Sequence, residues 1–214
     1  MQGIRSKTVT RSAERPWVDT SNPIFQAETK TFDYSVLVAA TGVDMTHPWV
    51  RDDKRVIVPS GVPVARDDNG DERNIFPVKR TRLTAAVDDD DVDYPVANTK
   101  PFKVGDEFTI ANAVASQTIS AINHTTKVIT LDTTLGEAGD EDEEVWTPNQ
   151  DTAIGMLLDV VDLTDGEEDV ILGMLVEGYV FPAVVHNSIF ELTDQIIADL
   201  KAANIRFVPS TWTL

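Results

Sequence analysis

The chain has 214 residues, 36 of them acidic against 18 basic, for a formal net charge of −18, and it has no cysteine. Phosphate backbones would repel such a chain, so unspecific nucleic-acid binding is excluded; so are disulfides, thiolate metal sites and cysteine nucleophiles. Its length suits one domain, or a domain carrying a small insert.

Residues 1–32 read as an extended arm. Arg5, Lys7, Arg11 and Arg15 make it basic within an acidic protein, and Trp17, Ile24 and Phe25 are large apolar residues that a purely solvated tail rarely holds. The stretch has no apolar core of the secretory-signal type, and no run in the chain approaches the ~20 apolar residues of a membrane-spanning helix. From Phe32 the pattern turns β. "YSVLVAAT" (34–41) is rich in β-branched residues, and "KRVIVPSGVPVA" (54–65) is two extended runs broken by a Pro59-Ser60-Gly61 turn. Asn69-Gly70 is a hairpin turn signal.

Residues 84–95 read as a charged linker. Between 101 and 136 lie "DEFTIANAV", "QTISAINH" and "KVITLDT", short alternating runs separated by polar breaks, which predict a meander or small barrel. After Pro148, "AIGMLLDVVDL" (153–163) and "DVILGMLVEGYV" (169–180) predict a buried hairpin, with Gly173 and Gly178 marking bulges. One helix is predicted in "NSIFELTDQIIADLKAAN": Ser188 and Glu191 have capping-box spacing, Ile189, Leu192, Ile196, Leu200 and Ala203 share a face, and Asn204 stops it. "IRFVP" then returns to strand. The layout is mainly β, α+β, with one C-terminal helix. The domain reading is an arm over 1–32, a β core from 33–83 plus 149–214, and an inserted small β-barrel over 84–148.

Residues suited to chemistry are few. His47, His124 and His186 have no helical metal spacing, and no nucleophile elbow, phosphate loop or dinucleotide fingerprint occurs. Asp88, Asp89, Asp90 and Asp91 are the weak candidates for a cation site, but EF-hand spacing is missing, and four adjacent carboxylates ordinarily form a solvated loop. The expectation is a protein without enzymatic activity, catalytic residues or cofactor. Asp outnumbering Glu, with little Lys, resembles the bias of salt-in halophiles.

Two segments resemble the lambda-type head decoration (capsid cement) proteins of tailed viruses. They are "YSVLVAATGVD…RVIVPSGVPVA", with its Ser60-Gly61-Val62-Pro63 turn, and "AIGMLLDVVDLTDGEEDVILGMLVEGYVFPAVV…IADLKAANIRFVP". Together they cover about half the chain. The segment 101–136 resembles small β-barrels of viral head and fibre proteins, and it departs from the compact decoration proteins as an insert. The resemblance implies a homotrimer on the outer surface of a virion capsid, possessing a decoration-type β core and bound to the major capsid protein through its arm residues Arg5, Lys7, Arg11, Arg15, Trp17, Ile24 and Phe25. Neither nucleic acid nor membrane is an expected partner. The alternatives are a tail or fibre-base structural protein, or a host-surface binding module that uses the insert.

Overall fold

The computed structural model describes residues 26–32, 47–50, 56–66, 74–162, 170–180, 185–186 and 189–207. The chain is mainly β, with fourteen strands and one helix of defined limits among these residues.

The first sheet holds β1 (Gln26–Phe32), β3 (Pro63–Arg66), β4 (Asn74–Pro77), β11 (Gly155–Leu157), β13 (Val170–Val180) and β14 (Ile205–Phe207). Its order is β1-β4-β3-β11-β13-β14, and β1 also pairs with β13, so five strands close on themselves. β1 lies antiparallel to β13 from Gln26↔Glu177 to Phe32↔Val170 and parallel to β4. Residues 26–32 therefore belong to the barrel wall and not to the arm expected over 1–32. Arg5, Lys7, Arg11, Arg15, Trp17, Ile24 and Phe25, together with the strand expected at 34–41, lie outside the described residues.

β3 and β4 pair antiparallel from Val64↔Pro77 to Arg66↔Ile75, the hairpin expected around Asn69-Gly70, whose turn is itself outside the described residues. The Ser60-Gly61 turn stands where expected, with Gly61 at φ 88°, a conformation that favours glycine. The apolar run 153–163 is not one strand. It forms β11, which pairs with β13 and β3, and then β12 (Val161–Asp162), which pairs with β2 (Ile57–Val58). Between them Leu158 N donates to Gly173 O, and Asp159 Oδ2 accepts Gly173 N, so a side-chain oxygen takes the Gly173 N–H where the β11 pairing with β13 ends. Val58, Val62, Val64, Ile75, Phe76, Met156, Leu157 and Leu175 fill this barrel, and Ile196 and Leu200 of the helix pack into the same core.

That helix, α1, runs Asp194–Ala202, with Thr193 as its N-cap and its side chain accepting from Ile196 N. Of the capping box expected at Ser188 and Glu191, Ser188 lies outside the described residues, and the Glu191 carboxylate bonds Thr81 and Arg82, far away in sequence. Asn204, at φ 67°, ends the helix as expected.

The second sheet has the order β5-β10-β7-β8-β9-β6. Its strands are β5 (Arg80–Arg82), β6 (Asp93–Pro95), β7 (Glu107–Ile110), β8 (Gln117–Asn123), β9 (Val128–Leu131) and β10 (Glu144–Trp146). A bridge between Leu83 and Val96, flanked by Ala97 N→Arg82 O and Thr84 N→Pro95 O, joins its two edges and closes it. Its core is Leu83, Val87, Tyr94, Val96, Phe102, Phe108, Ile110, Ile119, Ile129, Leu131, Leu135 and Val145. Phe108 sits at the centre, 5.4 Å from the Tyr94 ring and 6.0 Å from Phe102.

This barrel starts at Arg80 rather than at residue 84. The stretch 84–95 is not a free linker: Val87 and Tyr94 are buried, and Val87 exchanges both backbone hydrogen bonds with Gly139. A few apolar residues among the carboxylates are enough to draw both acidic stretches onto the barrel wall.

Candidate functional site

The two barrels meet at a seam built around a short basic segment, Lys79-Arg80-Thr81-Arg82. The connection is a ladder: Val78 N donates to Pro63 O, Lys79 N to Gln150 O, and Thr147 N to Lys79 O. The outgoing and returning chains thus hold each other, and the backbone there has little freedom to hinge.

Lys79 is fully buried, and its Nζ lies 2.6 Å from Asp106 Oδ1. Asp106 Oδ2 accepts Lys103 N at 2.9 Å. Burial pushes the Lys79 ammonium below its ordinary pKa and the Asp106 carboxyl above its own. In each case attraction to the partner opposes burial but is the smaller effect. Arg80 donates to Glu144 Oε2 at 2.6 Å and pairs closely with Asp151, and its guanidinium stands 4.9 Å from the centre of the Trp146 ring. Thr81 Oγ1 and Arg82 Nε donate to the two oxygens of Glu191 at 2.6 and 2.9 Å. That carboxylate raises the Arg82 pKa. Glu144 also accepts Gln195 N at 3.1 Å, which sets a carboxylate against the first turn of α1, where the helix dipole favours it.

A second cluster lies at the same seam. Lys100 Nζ donates to Ile189 O at 3.1 Å, and burial, followed by Lys127, lowers its pKa. His47 Nδ1 accepts Trp49 N at 3.1 Å, which leaves Nε2 to donate to Lys100 O at 3.0 Å. The His47 ring meets His124 edge-on at 4.6 Å, and His124 Nδ1 bonds Thr99 Oγ1 at 2.8 Å. His186 Nδ1 accepts Leu192 N at 3.2 Å. Each histidine holds chain segments together. Sequence reasoning left them dispersed; the fold brings His47 and His124 into contact and keeps His186 apart.

A polar cavity of about 300 Å³ opens at the seam beside Lys79, Asp106, Thr147 and Gln150. Thr147 Oγ1 and Gln150 Oε1 are buried there without a hydrogen-bond partner among the described residues. Lys103 and Glu107 also line it, so two lysines and two carboxylates surround the opening.

Asp88, Asp89, Asp90 and Asp91 lie on a turn. The first three are exposed, and Asp91 Oδ2 accepts Asp88 N at 2.8 Å, so that carboxylate closes its own turn. Among the described residues no group of three or more histidine, aspartate or glutamate side chains is arranged to hold a metal ion.

Sequence reasoning missed the seam residues Lys79, Arg80, Arg82, Asp106 and Glu191. The available signal was three cations within four residues of a strongly acidic chain, at the edge of the insert. In comparisons with known proteins, no family model and no curated protein matches the chain.

Proposed function

We propose that the protein is a structural virion component that binds the outer surface of a tailed-virus capsid as a homotrimer and stabilises the shell without turnover. The observation that carries this reading is the meeting of the two decoration-like segments. Residues 56–65 and 153–207, separated by the whole second barrel, contribute to one closed sheet and one hydrophobic core. A compact core made from both segments is what the resemblance requires, with the second barrel as an outward addition. The seam supports it further, because its charged groups are engaged in holding the barrels together. In this reading the basic N-terminal arm runs across neighbouring shell subunits, gaining main-chain hydrogen bonds at their sheet edges, and three arms on one trimer multiply the affinity. The acidic composition accords with a halophilic host, where salt screens the self-repulsion of the chain.

The test mixes the purified protein with empty, undecorated shells. Co-sedimentation that saturates at a multiple of three copies per site, with a rise in the shells' melting temperature, is the expected result. Shells that neither retain the protein nor gain stability would remove the reading.

A further inference from the structure

At the seam an amine and an acid are held against each other. Lys79 Nζ lies 2.6 Å from Asp106 Oδ1, and the two side chains are 0% and 5% exposed. Both backbones are pinned on either side. Lys79 N donates to Gln150 O and Lys79 O accepts Thr147 N, while Asp106 N donates to Lys103 O and Asp106 O accepts Ile119 N. The carboxyl is oriented as well, because Oδ2 accepts Lys103 N at 2.9 Å. The other ion pairs of the seam use Arg80 and Arg82, whose guanidinium groups keep their protons and are not nucleophiles. Lys79 alone among these cations can become a free amine.

We infer that Lys79 and Asp106 condense after folding into an isopeptide bond from Nζ to Cγ, with loss of one water. The ion pair is the reactant state. A proton passes from the ammonium to Oδ1 along the existing hydrogen bond, which leaves an amine and a carboxylic acid. Burial already favours both of these neutral forms. The Nζ lone pair then attacks Cγ, and Lys103 N stabilises the negative charge that grows on Oδ2. Oδ1 departs as water, carrying its own proton and one more from Nζ. The Nζ–Cγ bond replaces the Cγ–Oδ1 bond, so atoms and charge balance without oxidant, cofactor or co-reactant. The polar cavity lined by Thr147 and Gln150 gives the water a way out.

Two magnitudes favour the bond over a lasting ion pair. Condensation removes two buried charges whose desolvation makes the ion pair costly. Fixed proximity is worth an effective molarity of up to about 10⁵–10⁸ M, which offsets the cost of amide formation in water. The bond ties the entrance of the second barrel to the start of β7, across a separation of 27 residues that takes in β5 and β6. The inference rests on the seam geometry and holds whether or not the protein binds a shell.

The test is mass spectrometry of the full-length protein, folded, kept at neutral pH until its mass is constant, and then denatured. The wild type should be one water lighter than its sequence. Trypsin should release residues 74–80 joined to residues 104–127 as one branched species, uncut after Lys79. Lys79→Arg keeps a cation beside Asp106 and should show neither the deficit nor the branched peptide. An aspartate that cyclises to a succinimide, as at Asp165-Gly166, also loses one water, but hydroxylamine opens it and leaves the branched peptide intact. The inference is overturned if the wild type keeps its full mass, if its deficit maps to a succinimide, or if Lys79→Arg retains the deficit.

Discussion

Lys79 and Asp106 form a buried ion pair, and such pairs add little to stability while tolerating the loss of one member badly. Lys79→Met should cost about 3–5 kcal/mol in denaturant unfolding, because it strands a buried carboxylate. Lys79→Met with Asp106→Leu should recover most of that loss. A double variant no more stable than the single one would show that the pair does more than neutralise itself. The pH dependence has a fixed sign. The Asp106 pKa is already raised in the folded protein, and removing Lys79 raises it further. A carboxyl with a raised folded pKa carries no penalty below the free-aspartate range and the full penalty above the folded pKa. The defect of Lys79→Met should therefore be largest at neutral pH and shrink as pH falls towards the free-aspartate range. None of this was legible in the sequence. Lys79 and Asp106 stand in ordinary polar surroundings along the chain, and only the crossing of two barrels buries them.

The start of α1 shows where local pattern and tertiary demand part. Ser188 and Glu191 have the right spacing for a cap, but Glu191 is claimed by Thr81 and Arg82, and the helix begins at Thr193. Thr193→Ala should cost about 1 kcal/mol. Ser188→Ala should change stability by less than about 0.5 kcal/mol; the reverse order in thermal melts would restore the earlier start. The strands of the second barrel, by contrast, were legible. β7, β8 and β9 lie within the three alternating runs, because alternation of apolar residues and polar breaks such as Asn123 onward are local signals. The walls at 84–95 and 137–143 were not, since Leu83, Val87 and Tyr94 are too sparse among the carboxylates to show a period. β11 makes a further demand that a residue type meets. A Cβ on Gly155 would stand 2.6 Å from Leu175 O and 2.8 Å from Met174 Cγ. Gly155→Ala should force β11 away from β13 and lower stability by about 1–3 kcal/mol, measured by urea unfolding.

For the molecule as a whole, charge and architecture make separate predictions. With a net charge of −18, self-repulsion opposes the compact state, and the Debye length falls from ~10 Å at 0.1 M to ~3 Å at 1 M salt. The melting temperature should climb across a KCl series spanning that range, and a flat or falling series would remove the repulsion argument and the halophile argument with it. The architecture also decides how the arm must be tested. β1 closes the first barrel between β4 and β13, so a truncation through residue 32 would remove a wall strand, whereas one ending at residue 25 leaves the sheet complete. Occupancy of empty shells, measured by co-sedimentation for the full chain and for a chain beginning at Gln26, is the most direct measurement. The full chain should saturate the shells, and the shortened chain should melt like the parent but bind far more weakly. Failure of the full chain to bind would contradict shell attachment, and equal occupancy by a folded shortened chain would contradict the arm's part in it.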